Sequence, residues 1–201
     1  MPRLRALHLA YSLPYPPRCG YDLRAVSLCK QLQKEMDVTL LTRSFTGAAA
    51  PASMDGMALR VLHLPRPTRW ERLWKGLRFL PGAFPVLSAG YYFPAMARAI
   101  QEELTLRHYD WVVMEGIWLS VYWPLLQKFP ARKAVNHYDL EPESLRRQAS
   151  VLAPGLNKWL LSNAARRMEN IEARLVREAS INWVTSRREQ EALLKKNPSA
   201  R

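Results

Sequence analysis

Leu4-Arg-Ala-Leu-His-Leu-Ala10, followed after three residues by Pro14-Tyr-Pro-Pro-Arg-Cys-Gly20-Tyr-Asp-Leu-Arg24, is the stretch from which the fold is read. A short apolar run stopped by a proline-rich turn is a strand. Asp22 is of a residue type that caps helices, and residues 23–35 follow it as one. Val26, Leu28, Cys29, Leu32 and Met36 give that helix its apolar stripe. Residues 38–42 are then a second apolar strand, 47–54 an Ala/Gly/Pro-rich loop, and 59–64 a third strand.

The alternation continues to the end of the chain. Helical patterns cover 68–80 and 95–107, and 111–114 is a strand. Residues 116–128 read as a helix interrupted by Pro124, and 133–137 as another strand. A long helical stretch, 142–178, breaks near Pro154-Gly155; a short strand at 181–185 and a helix at 187–196 close the series. Strands that alternate with helices and are apolar throughout belong in a mostly parallel sheet covered on both faces. The expected fold is one doubly wound α/β domain over residues 1–201, Rossmann-like, in three α/β/α layers.

Composition narrows the function classes. With 48% hydrophobic residues, 7 Trp, 8 Tyr and 5 Phe, the 201-residue chain is rich enough in apolar side chains for a large core. Cys19 and Cys29 form no disulfide framework, and His8, His63, His108 and His137 show no metal-ligand spacing, so no metal site is expected. No run reaches the roughly 20 apolar residues of a membrane span. The expected location is cytoplasmic, either free or peripheral on the inner face of the membrane. Thirty Lys+Arg against 17 Asp+Glu, a net charge of +13, favours a polyanionic partner, either nucleic acid or an anionic membrane.

Three segments carry chemistry. In an open α/β sheet ligands bind beyond the carboxyl ends of the strands, where the turn at 14–24 lies. Gly20 lets backbone come close to a ligand, the next helix N-terminus favours an anion, and Arg24 is within reach of it. The alternative is a rigid proline-rich connection with a surface arginine. At Ala134-Val-Asn-His-Tyr-Asp-Leu-Glu141, His137 or Asp139 suits polarisation of a hydroxyl, and Glu141 suits holding one. The plainer reading is a helix start with acidic residues at its positive end. Ser186 and Glu189 have the spacing of a capping box, and Glu115 ends the strand at 111–114.

Taken in order, these segments resemble the N-terminal half of family-4 glycosyltransferases of the GT-B type. The Pro-Tyr-Pro-Pro turn, Gly20 and Arg24 are similar to that family's opening, with Tyr21 where a second glycine is common. Val38-Thr-Leu-Leu-Thr42, Asp139-Leu-Glu141, with Tyr138 in the usual histidine position, and Ala179–Leu193 resemble later segments. The resemblance implies an acceptor-binding half of an enzyme that moves a sugar from a nucleotide-sugar to a hydroxyl of a glycan or lipid-linked acceptor, as in polysaccharide biosynthesis. It implies Gly20, Tyr21 and Arg24 on the donor-phosphate side and Glu115, Tyr138 and Glu141 on the acceptor, facing it beside His137 and Asp139, whose chemistry suits catalysis. It implies no cofactor: the nucleotide-sugar is a substrate, bound mainly by a donor half, for which a separately encoded partner is one source, and without which this chain is expected to be inactive.

Residues 68–80 stand apart. Trp70, Leu73, Trp74 and Leu77 fall on one helical stripe, with Arg72, Lys75 and Arg78 broadly opposite and Arg69 at its flank. Such a helix either docks on an anionic bilayer, at about 1 kcal/mol per basic side chain, or covers the sheet with its tryptophans buried. A non-catalytic membrane- or partner-binding module is therefore the second reading of the chain. A nucleic-acid binder ranks third, because the charge is spread and no reader motif is present.

Overall fold

In the computed structural model, which describes residues 3–44, 53–54, 56–64, 68, 70–71, 74, 77, 79, 82–196 and 198, strands and helices alternate as expected. The elements are β1 (Leu4–Leu9), α1 (Gly20–Leu32), β2 (Met36–Ser44), β3 (Ser53–Met54), β4 (Met57–His63), α2 (Pro94–Leu106) and β5 (Trp111–Glu115). They continue with α3 (Trp123–Leu126), β6 (Arg132–Asn136), α4 (Glu141–Ser150), α5 (Leu156–Glu178), β7 (Ile181–Trp183) and α6 (Arg187–Lys196). The sheet order is β3-β4-β2-β1-β5-β6-β7, a doubly wound α/β arrangement whose direction of winding reverses between β1 and β5.

β1 pairs in parallel with β2, Ala6 opposite Val38, and with β5, Ala6 opposite Trp111. β2 pairs in parallel with β4, Leu41 opposite Arg60. A central parallel strand is covered on both faces, and accordingly Ala6, Leu7, His8 and Leu9 are all fully buried. Ala6, Val26, Cys29, Val38, Leu40 and Met57 form the core between α1 and the sheet.

Several local expectations are corrected. Asp22 is not the cap of α1: the helix begins at Gly20, Cys19 is the N-cap, and no side chain caps it. Asp22 is instead a buried first-turn residue whose Oδ2 accepts the Arg18 N–H at 3.0 Å. The 47–54 loop ends in a strand, since Ser53–Met54 pairs antiparallel with β4. Pro124 starts the short helix α3 rather than interrupting a long one, and Ile117–Tyr122 before it is a 3-10 helix. Proline is at home in a first helical turn, where its missing N–H has no partner to lose.

By its contacts the chain divides into two compact units. The first contains Met1–Arg66, Phe93–Glu115 and Tyr122–Ala134; the second contains Pro67–Tyr92, Gly116–Val121 and Val135–Arg201. In the first unit Glu103 is the polar centre of α2. It binds Arg60 of β4 at 2.8 Å and the Tyr109 hydroxyl at 2.8 Å. In the second, α4 and α5 pack side by side, and Leu140, Val176 and Leu193 join the start of α4 to α5 and α6. Ser186 and Glu189 form the anticipated capping box at the start of α6, with Ser186 Oγ accepting the Glu189 N–H at 3.3 Å.

Burial alone would raise the Glu103 carboxyl, but hydrogen bonds from Arg60 and Tyr109, with Arg107 nearby, hold it below its ordinary 4.5. Its stabilising contribution is therefore present above pH 4.5 and is lost as pH falls through the depressed value. Glu103→Ala should lower the unfolding free energy by about 2–4 kcal/mol at neutral pH. Urea unfolding at several pH values should show that difference shrink under acid conditions.

Candidate functional site

In the first unit the carboxyl ends of β1 and β5 meet around His8. Its Nε2 lies 2.5 Å from Glu115 Oε1, and its Nδ1 lies 3.1 Å from Cys29 Sγ. His8 and Cys29 are fully buried, and the Glu115 side chain is wholly enclosed. Burial works against the imidazolium, but Cys29 and the Glu115 carboxylate outweigh it and hold the His8 pKa up to about 10. Glu115 thus sits where the sequence placed it along the chain, at the end of β5, with its carboxylate turned into the core and onto His8. It presents no open face to an acceptor in this arrangement.

The turn between β1 and α1 is open at its glycine. A Cβ at Gly20 would meet no heavy atom within 4 Å, and Gly20 is exposed. The Tyr21 hydroxyl accepts the Tyr11 N–H at 3.1 Å, tying the helix start back to the end of β1, and Arg24 is half-buried one turn further on. One residue at this end of the sheet was missed from the sequence. Arg43, 2% exposed, has its guanidinium 3.7 Å from the centre of the Tyr11 ring and 4.0 Å from that of Phe93. Its Nε–H donates to Tyr11 O at 2.7 Å. The signal was an arginine directly after an apolar strand; β2 runs two residues past the expected 38–42 and includes it.

The second unit gathers a different set. Gly116 turns the chain after β5 with φ of 79°, a left-handed conformation that favours glycine, and a Cβ there would stand 3.4 Å from the Tyr138 ring. Two residues on, Trp118 stacks against Tyr91 with centroids 4.9 Å apart and planes 13° from parallel. Trp118 also hydrogen-bonds the Glu141 carboxyl. Burial raises that carboxyl above its ordinary 4.5, against the Trp118 hydrogen bond and with the help of nearby Asp139 and Glu172. Asp139 is half-exposed; its Oδ1 accepts the Leu140 N–H at 2.9 Å and its Oδ2 lies 3.6 Å from Arg147. Tyr138, Asp139 and Glu141 are thereby brought together with Trp118 and Tyr91, two aromatics the sequence reading did not select.

His137 is set differently. It is 1% exposed, and its Nε2 lies 3.0 Å from Asn182 Oδ1 while Asn182 Nδ2 donates to Val176 O. With the amide nitrogen so used, Oδ1 accepts and Nε2 of His137 carries the proton. The structure therefore groups Asp139 with the half-buried aromatics and turns His137 inward. Of the residues named for membrane contact, Trp70 and Trp74 are helical and 71% and 68% exposed, whereas Arg69, Arg72, Lys75 and Arg78 lie outside the described residues. Among the described residues no group of three His, Cys, Asp or Glu could hold a metal ion, and no helix is long and apolar enough to cross a membrane.

No protein-family model matches the chain, and no curated protein matches it either. Solved structures do. Sucrose-phosphate synthase from Thermosynechococcus elongatus superimposes with a TM-score of 0.60 at 15% identity, over 97% of this chain and 45% of that one. UGT2 of Phytolacca americana, complexed with UDP-2-fluoro-glucose and pterostilbene, gives 0.55 at 10% identity over 100% and 52%. The E. coli trehalose-6-phosphate synthase bound with UDP-2-fluoro-glucose gives 0.51 at 12% over 96% and 42%. The fold is that of one half of a GT-B glycosyltransferase. The chain spans about half the length of these structures. At such identities the likeness is one of fold, and it does not single out family 4.

The His8 cluster gives a direct test of what holds the first unit together. Because the folded His8 pKa stands above its ordinary 6.5, its contribution is complete below pH 6.5 and fades as pH rises through about 10. Glu115→Gln removes one of the two partners, Cys29 and Glu115, that sustain the imidazolium and should cost about 3–5 kcal/mol near neutrality. Thermal unfolding followed from pH 6 to 10.5 should show a falling stability in the parent that is flattened in the variant.

Proposed function

We propose that the chain is the acceptor-binding half of a glycosyltransferase that moves a sugar from a nucleotide-sugar to a hydroxyl of a glycan or lipid-linked acceptor. The observation that carries this reading is the Glu141 carboxyl held against the Trp118 indole, beside Tyr91, Tyr138 and Asp139. Half-buried aromatic rings suit the apolar faces of sugar rings, and carboxyl groups beside them suit the hydroxyls. The GT-B fold supports the assignment of reaction class.

In this reading Trp118, Tyr91 and Tyr138 form the wall against which an acceptor ring lies, and Glu141 holds one of its hydroxyls. Its two oxygens suit that task, one held by the Trp118 indole and the other left for a sugar hydroxyl. Asp139 polarises the reacting hydroxyl and draws off its proton, with Arg147 3.6 Å from its Oδ2 holding the side chain in place. His137 supports the segment from behind through Asn182. Gly20, Tyr21 and Arg24 serve the donor phosphate side, and the nucleotide-sugar takes most of its contacts from a donor-binding half.

A glycan array probed with the purified chain should retain it on a restricted set of acceptors. Glu141→Ala or Trp118→Ala should each weaken retention about tenfold, equivalent to ~1.4 kcal/mol. Asp139→Asn should change retention less than about twofold yet lower transfer roughly 10²–10⁴-fold once a donor-binding half and nucleotide-sugar are supplied. Retention on no glycan, or retention indifferent to Glu141 and Trp118, would sink the acceptor reading.

A further inference from the structure

The helix that contains Trp70, Glu71, Trp74, Leu77 and Phe79 is mounted the opposite way from an ordinary covering helix. Trp70, Trp74 and Leu77 recur at the spacing of one helical face and are 71%, 68% and 45% exposed. Phe79 lies on the other side. It packs inward, its ring 6.4 Å from that of Phe84 and 6.2 Å from that of Tyr92.

The exposure is not that of a loose segment. At the N-terminal end Thr68 and Glu71 close a capping box: Glu71 Oε2 accepts the Thr68 N–H at 2.7 Å, and Thr68 Oγ1 accepts the Glu71 N–H at 3.2 Å. At the other end the Arg167 Nη1 donates to Phe79 O at 3.2 Å, Gly82 O at 2.7 Å and Phe84 O at 2.9 Å. The first turn is thus capped and the C-terminal end is fastened to α5, while the tryptophan face is turned to solvent. Contiguous exposed apolar surface of this kind marks a binding surface.

Charge selects the occupant. In sequence the exposed tryptophans alternate with Arg69, Arg72, Lys75 and Arg78, and the one acidic residue among them, Glu71, is engaged in the cap. The chain as a whole carries +13. Tryptophan prefers the headgroup level of a bilayer, where its ring is apolar and its N–H stays wet, and basic side chains beside it meet anionic lipid. The geometry points to an interfacial docking surface, centred on Trp70, Trp74 and Leu77, for the surface of an anionic phospholipid bilayer. It does not depend on the acceptor reading, although it fits a lipid-linked acceptor. Leu156 and Trp159, 70% and 51% exposed near the start of the same α5 that carries Arg167, add apolar surface to this unit.

The test uses the purified chain with vesicles of phosphatidylcholine alone and of phosphatidylcholine mixed with phosphatidylglycerol. Co-sedimentation with the mixed vesicles only, a blue-shifted tryptophan emission, and weakening in high salt are expected. Trp70→Ser/Trp74→Ser should weaken binding at least tenfold, and Arg72→Gln/Lys75→Gln about tenfold, with unfolding temperatures and glycan retention unchanged. Absence of binding to the mixed vesicles overturns the inference, as does equal binding to neutral ones. So does a self-associated chain, seen by sedimentation, that dissociates in the tryptophan variant and ignores lipid. Loss of glycan retention with vesicle binding intact would instead fault the acceptor site, so the two proposals fail separately.

Discussion

A charged imidazole in the middle of a parallel sheet is the constraint around which the first unit is arranged. His8 belongs to the central strand, and both of its ring nitrogens are spoken for, by Glu115 of β5 on one side and Cys29 of α1 on the other. An ion so enclosed is tolerated only while its partners stay in place, because the desolvation cost is returned by that geometry and nothing else. Strand β1, its neighbour β5 and the helix above them therefore share one polar contact in an otherwise apolar layer.

The fold was legible in the sequence because its strands are short, apolar and separated by proline and glycine signals. The boundaries of α6 matched, and most others fell within two or three residues. What the sequence hid was direction. A strand buried on both faces has no polar–apolar alternation, so nothing in the text said that Glu115 would turn inward to His8 or His137 toward Asn182. Asp22 has the chemistry of a cap, but the chain enters α1 three residues earlier, and its carboxylate is used by Arg18 N–H instead. Trp118 and Tyr91 were hidden for another reason: they are far apart in sequence, and their stacking is a product of the fold.

The tryptophan helix shows the same limit in reverse. Its amphipathic pattern was plain, and an apolar stripe normally implies burial against protein. Helical periodicity states that a stripe exists and does not state which medium it meets. Phe79, on the opposite side from the tryptophans, supplies the inward contact, with Phe84 and Tyr92. The two proposed surfaces of the second unit, the Glu141–Trp118 cluster and the exposed tryptophans, thus draw on the same residue type for separate purposes. In one, an indole is stacked and hydrogen-bonded; in the other, it is left in water.

The Arg167 clamp also sets a timetable for synthesis. The carbonyls it gathers belong to residues 88, 85 and 83 positions earlier in the chain. A ribosome adding 5–20 residues per second leaves that segment waiting roughly 4–18 s for its guanidinium. Throughout that interval a tryptophan-rich, basic stretch is outside the exit tunnel without its C-terminal fastening. It is then a natural target for chaperones, and for any lipid surface near the translating ribosome, before the rest of its unit has been made.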